Sequence, residues 1–331
     1  MRFDGFAGNA EAKKLLSACI DGERFPHALL LEGPEGSGRR TLAALIAKAA
    51  VCTAPEGTQR PCGVCPACIK AAADAHPDIR REGGDGASRS FHIDVVRSVR
   101  DDAYILPNEA PRRVMILAGA QGMTEQAQNA LLKILEEPPA HVVFVLTCLN
   151  RSALLPTVLS RTLCVTLGPV GEEEALPILR EKLPGRTDSE LLSSLRLFGG
   201  LIGPAVKGLD DGSFQQVLEL TPRIAAAVAA SDELELLRAT APLEKDKTAV
   251  PGVLSGCKLI FRDALARRCG GDSTLSPSPE AADQLAAALT RGQLIALMEA
   301  VDGLLAALPR NMGHTLLLTL ICSRLRAAAG K

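Results

Sequence analysis

The sequence predicts an α/β chain: a nucleotide-binding-type domain with a doubly wound parallel sheet, continued by all-helical segments. Three observations predict it. An apolar run, a glycine-rich turn and a helix-prone segment follow one another over residues 27–51. Further continuous apolar runs at 113–118 and 142–147 alternate with helical patterns, as strands covered on both faces require. After about residue 168 the strand signal fades and nearly all that follows has helical periodicity.

Residues 10–22 read as an amphipathic helix with Ala12, Leu15, Leu16 and Cys19 on one face. The run HALLLE (27–32) is a buried strand, GPEGSG (33–38) a turn, and 41–51 a helix. A cysteine-rich insert follows at 52–68, and a glycine-rich loop lies near 83–90. RVMILA (113–118) is the second strand. Residues 124–137 form a helix stopped by Pro138 and Pro139. VVFVLT (142–147) is the third strand and 163–167 a fourth. Helices are expected at 172–183, 188–198, 214–230, 232–239, 250–269, 279–288, 291–308 and 311–328, with a flexible connection at 270–278.

Bulk composition bounds the function. At 331 residues the chain exceeds what one hydrophobic core serves, so two or three domains are expected. Alanine and leucine dominate and aromatics are only 3%, which favours helices packed on small and γ-branched residues. A formal net charge of -1 gives no case for a nucleic-acid coat protein; any DNA contact must come from a local patch. The N-terminal residues lack a basic segment followed by a long apolar stretch, and no run of about 18 apolar residues occurs. The chain therefore reads as cytoplasmic, with no membrane partner. Its ten cysteines are expected to be reduced or metal-bound rather than disulfide-bonded.

The turn carries a damaged phosphate-binding motif. In G-x-x-x-x-G-K-[ST], backbone N–H groups cradle phosphates, the Lys reaches the terminal phosphates and the hydroxyl holds Mg²⁺. Gly33, Gly36 and Gly38 have the right spacing, but Arg39 stands at the Lys position and Arg40 at the hydroxyl position. Thr41 comes one residue late, about 100° around the helix. The blander reading is a glycine turn that caps a helix, but the whole strand–GPEGSG–helix unit favours a phosphate loop by descent. The second strand loses its part too. ATPases of this kind end it in carboxylates that hold Mg²⁺ and orient water. Here the stretch is Ala118-Gly119-Ala120. Intact ATP hydrolysis is not expected.

Cys52, Cys62, Cys65 and Cys68 give C-x9-C-x2-C-x2-C in a loop punctuated by Pro and Gly. The spacing predicts a closed, structural zinc site with four sulfur ligands. Redox chemistry at Cys62 and Cys65 is the alternative, and His76 is a further possible ligand. Cys19, Cys148, Cys164, Cys257, Cys269 and Cys322 sit in apolar patterns and are expected in cores.

Residues 1–165 resemble the clamp-loader branch of the AAA+ ATPases. The likeness is carried by FPHALL (25–30), the glycine loop, the inserted cysteines, QNALLKILEEPP (128–139) and LPTVLSR (155–161). Within that family, the lost Lys, hydroxyl and acidic residues look like the delta prime subunits rather than the ATP-hydrolysing gamma/tau subunits. The resemblance implies an AAA+ domain at 1–167 with the insert at 52–68, a helical lid at 168–212 and a helical collar at 213–331. It implies a non-hydrolysing accessory subunit of DNA polymerase III. Such a subunit helps load a sliding clamp onto primed DNA, with gamma/tau and delta subunits, the clamp and primer–template DNA as partners. It makes Arg161 an arginine finger for a neighbouring ATPase; by itself Arg161 reads as a surface arginine. The family motif has a Cys after this Arg, where this chain has Thr162. The resemblance also places the 124–137 helix near a central DNA chamber, making Asn129 and Lys133 candidates for DNA proximity. Active relatives carry a nucleotide-sensing Arg in the lid, where Pro204 and Ala205 stand here.

Overall fold

The computed structural model describes residues 1–21, 25–55, 57–84, 91, 93–230, 232–244, 249–272, 274–308 and 313–331. Two compact units divide the chain, Met1–Ile178 and Leu179–Lys331.

The first unit contains helix α1 (Ala10–Asp21), strand β1 (Ala28–Glu32), α2 (Arg39–Val51), α3 (Pro66–Ala72), β2 (Ile79–Gly83) and α4 (Ile93–Ala103). It continues with β3 (Arg113–Ala118), α5 (Glu125–Glu136), β4 (Val142–Cys148), the single-turn α6 (Pro156–Leu159) and β5 (Leu163–Thr166). Helix α7 (Glu172–Lys182) spans the division. All strand pairs are parallel, in the order β2-β3-β4-β1-β5. Apolar residues alternate between the two faces, as pleating demands. Leu29, Leu31, Val114, Ile116, Val143 and Val145 pack with Leu42 and Ile46 of α2. Leu30, Met115, Leu117, Phe144 and Leu146 pack with Val96 of α4 and Leu131 and Ile134 of α5. This is the expected doubly wound sheet.

Two differences from expectation have local causes. The buried stripe of α1 is Ala12, Leu16 and Ile20 at i, i+4 spacing, which leaves Leu15 38% exposed and Cys19 half-buried. Strand β2 (IRREG) has no apolar run because it is a sheet edge, paired only with β3. Its Arg80 pairs with Glu82 and Asp102, and Arg81 with Asp74, so the charges stay solvated and discourage a further strand. Positions 85–90 of the glycine-rich loop lie outside the described residues.

The second unit is helical: α8 (Asp188–Leu197), α9 (Ile202–Asp210), α10 (Ser213–Ala229), α11 (Glu233–Thr240), α12 (Val250–Arg268), α13 (Pro279–Ala288), α14 (Arg291–Ala307) and α15 (His314–Ala328). The expected start of the last helix at 311 lies outside the described residues. Helix α12 is the hub, with Val253, Leu254, Cys257, Ile260, Phe261 and Ala264 all buried. Glycines let it approach its neighbours. A Cβ at Gly256 would stand 2.8 Å from Thr221, and one at Gly252 2.9 Å from Val217. Buried Asp263 accepts the N–H groups of Leu275 (2.9 Å) and Ser276 (2.7 Å), tying down the connection to α13. All ten cysteines are free thiols. Cys148, Cys257 and Cys322 are buried, Cys164 is half-buried, and Cys269, expected in a core, caps the end of α12 in solvent. Among the described residues, no helix is long and apolar enough to cross a membrane.

Candidate functional site

The strand order makes chain connections leave β1 and β4 toward opposite sides, which opens a crevice beyond their carboxyl ends. The glycine loop sits there. Gly33 N–H donates to Cys148 O (3.2 Å), and a Cβ at Gly33 would lie 2.6 Å from both Leu167 O and Ser37 Oγ. Gly38 takes φ +90°, the left-handed region that glycine tolerates, and the Phe6 ring covers it so closely that a Cβ would meet it at 2.9 Å. Helix α2 starts directly after it with Arg39, which is buried, and Arg40, which is exposed. Two cations in the first turn oppose the helix dipole, an arrangement helix stability does not select. Thr41 faces a surface recess shared with Lys48, Ala71, Asp74 and Arg81.

The end of β3 is closed. Gly119 (φ +78°) donates its N–H to Thr147 Oγ1 at 3.1 Å, and a Cβ there would stand 2.5 Å from Gly84 O. A Cβ at Gly83 would stand 2.3 Å from Ala118 O and 2.2 Å from the Phe91 ring. The ends of β2 and β3 thus meet backbone to backbone, and Gly119 leaves no room for a side chain. Glu32, at the end of β1, accepts the Arg151 N–H at 3.0 Å and pairs with the Arg151 guanidinium at 3.5 Å.

Arg161 follows α6. Its Nη2 pairs with Glu136 Oε1 at 2.7 Å, and its Nη1 donates to Thr157 O (3.0 Å) and Ser160 Oγ (3.3 Å). The segment before it is latched by Gln128, which is buried. Its amide N donates to Met123 O and Ala153 O, both at 3.3 Å, and its Oε1 accepts the Leu155 N–H at 2.7 Å. Gln128 stands in the 128–139 motif, where the sequence alone gives it no task. A polar residue on the apolar face of α5 was the available signal. Asn129 and Lys133 are exposed on the same helix.

The four cysteines predicted as a set do come together. One sulfur from each of Cys52, Cys62, Cys65 and Cys68 lies within 4.8 Å of all the others. Cys62 and Cys68 Sγ are 3.9 Å apart, close to the edge of about 3.8 Å that a tetrahedron of 2.3 Å Zn–S bonds requires. Backbone N–H groups of Cys62, Cys65 and Cys68 point at Cys52, Cys62 and Cys65 Sγ at 3.4–3.5 Å, donors that suit thiolates. Burial opposes ionisation of Cys65, but N–H donation from Cys68 and hydrogen bonds from Thr53 hold it down at about 6. Burial pushes Cys68 up to about 12. Sulfurs this close ionise together only around a cation, so the donor set fits a metal such as zinc. His76 is not part of the set. Its Nδ1 accepts the Asp78 N–H at 3.1 Å.

Fold and loop together define an α/β phosphate-loop-type module with a four-cysteine insert. The sequence family described as DNA polymerase III, delta subunit, matches residues 8–171. The chain is 30% identical over 255 residues to the DNA polymerase III subunit delta' of Escherichia coli (strain K12), covering 77% of this chain and 74% of that one. It is 37% identical over 160 residues to the DNA polymerase III subunit gamma/tau of Mycobacterium tuberculosis (strain H37Rv), covering 48% of this chain. It spans only 27% of that relative's length. Among solved structures, a gamma subunit-related protein of Thermotoga maritima is similar over 96% of this chain and 99% of that one, at 19% identity and a TM-score of 0.43. The chain belongs to the DNA polymerase III clamp-loader family of AAA+ proteins.

Proposed function

We propose that the chain acts as a delta prime-type subunit that hydrolyses no ATP and serves a neighbour's site through Arg161. The observation that carries the reading is the crevice itself. Arg39 and Arg40 replace the Lys and the hydroxyl, and the facing position at Gly119 excludes a carboxylate. An ATPase needs both a phosphate and metal cradle and a group that orients water, and the loss of the Lys, the hydroxyl and the acidic residues supports the reading that this chain lacks them. The family relation and the position of Arg161 after α6 support a finger offered in trans. There a guanidinium stabilises charge on the transferred phosphoryl group. Zinc fills the four-sulfur site in a structural role, since four protein ligands leave no position for substrate. The helices from 168 to 212 form a lid and those from 213 onward a collar that joins gamma/tau and delta subunits. The assembly places a sliding clamp on primed DNA in the cytoplasm.

The test is reconstitution of the loader with and without this chain. ATPase and clamp loading are expected to need it, and Arg161→Ala is expected to lower both several-fold, since one ATP site among several loses its finger. Unchanged rates with Arg161→Ala would remove the finger from the proposal. The higher identity to gamma/tau over 160 residues favours a second reading, an ATP-hydrolysing motor subunit. Hydrolysis of ATP by the purified chain with Mg²⁺ would establish it. Restoring the loop alone is not expected to help. Arg39→Lys with Arg40→Thr leaves the purified chain without ATPase above background, because no carboxylate stands at Ala118-Gly119-Ala120. Rapid turnover by that double variant would sink the argument from the closed strand end.

A further inference from the structure

We infer that Glu136 restrains Arg161, holding its guanidinium on its own subunit until a neighbour's site competes for it. The inference rests on the reading of Arg161 as a finger. Three groups of the same chain hold that guanidinium: Glu136 Oε1 at 2.7 Å, Thr157 O at 3.0 Å and Ser160 Oγ at 3.3 Å. The pair joins two pieces already held against each other. Glu136 ends α5, and Arg161 ends the segment that Gln128 latches to α5.

The placement of Glu136 runs against local preference. A helix carboxyl end favours cations, yet α5 closes on Glu136 followed by Glu137. Neither side chain is buried, so packing does not demand them. A local rule broken without a packing gain marks a residue kept for another task. Here the acid offers a seat for the Arg161 cation.

The electrostatics set the direction of the effect. A guanidinium closely paired with a carboxylate projects little net charge. Stabilising a developing phosphoryl charge requires charge that is aimed and uncompensated. The pair is nevertheless exchangeable, since the two side chains are 34% and 47% exposed and water screens them. Glu136 therefore biases the finger toward its own subunit by a few-fold rather than locking it.

The experiment uses the full reconstituted loader and measures ATPase without and with clamp and primed DNA. Glu136→Gln is expected to raise the unstimulated rate about two- to fivefold, the range an exposed ion pair supports. The stimulated rate should change little, so the stimulation ratio falls. Glu136→Asp should restore most of the wild-type ratio, and Glu137→Gln, which alters charge beside the pair without breaking it, should leave the ratio unchanged. The double variant Glu136→Gln/Arg161→Ala should match Arg161→Ala. An unstimulated rate that stays the same or falls in Glu136→Gln overturns the restraint, as does an equal rise in Glu137→Gln. The two readings separate cleanly. Arg161→Ala without effect removes the finger itself, whereas a loss with Arg161→Ala beside a silent Glu136→Gln removes only the restraint.

Discussion

Cys68→Ser is expected to empty the four-sulfur site, taking bound zinc from one ion per chain to nearly none. Structural zinc binding is worth about 10 kcal/mol or more in small domains, because the site forms only when the chain folds around the ion. A hydroxyl in place of one buried thiolate removes most of that. Not all of it reaches the domain. The insert can open while the sheet persists, so the loss appears first as local unfolding around residues 52–72. Helix α3 should go with it, since Cys65 is its N-cap and accepts the Cys68 N–H through sulfur. Protease cleavage inside the insert and a fall in Tm of at least about 5 °C are the expected readouts. Cys257→Ala is the control. Cys257 is a fully buried thiol in the other unit, and its loss leaves metal content at one. Full zinc occupancy in Cys68→Ser would show that the cluster does not hold the metal. Acidification should release the ion as well, because protons compete for thiolates.

The parts of this architecture that depend on neighbours in sequence were legible. Strand β1, the turn and α2 follow one another, and the glycines that shape the turn announce its backbone. The four cysteines lie within seventeen residues, so spacing alone predicts their meeting. Edge strand β2 was not legible, because a strand with one partner needs no apolar run. Helix α4 was missed too. Its buried stripe of Val96, Val99 and Ala103 is thin and interleaved with five charged residues. The departures from the phosphate-loop pattern could be read at Arg39, Arg40 and 118–120. That Gly84 closes on Gly119 could not, since two chain segments 35 residues apart must meet for the closure to exist. The Arg161–Glu136 pair has the same character. Each residue belonged to a visible motif, and only the fold brings the two motifs together.

Asp78→Asn is expected to cost the first unit about 3–5 kcal/mol, the usual consequence of removing one side of a buried charged network. Asp78 is fully buried and accepts the N–H groups of Asn108 (2.6 Å), Glu109 (2.9 Å) and Ala110 (3.0 Å). It thereby holds the turn before β3 against the start of β2. Asparagine keeps the shape but aims an amide N–H₂ at N–H donors, leaving buried groups unpaired. For a unit of this size a Tm drop of roughly 10 °C follows. The pH dependence gives an independent check. Burial alone would raise the Asp78 carboxyl, but the three N–H donors, helped by His76, outweigh it and hold it below the ordinary carboxylate range. A carboxyl held lower in the fold than in the unfolded chain stabilises fully above the unfolded value of about 3.9. That stabilisation disappears as pH falls through the lower folded value. His76 loads the same direction from higher pH. Burial lowers its pKa despite the opposing charges of Asp78 and Glu109, so its share begins to fade below about 6.5 in wild type. Thermal melts of wild type and Asp78→Asn at steps from pH 7 to 3 separate the two groups. The gap between the proteins should remain wide to about pH 4 and narrow below it. A gap that stays constant to pH 3 would mean that the Asp78 charge contributes nothing, and that only its shape holds the turn.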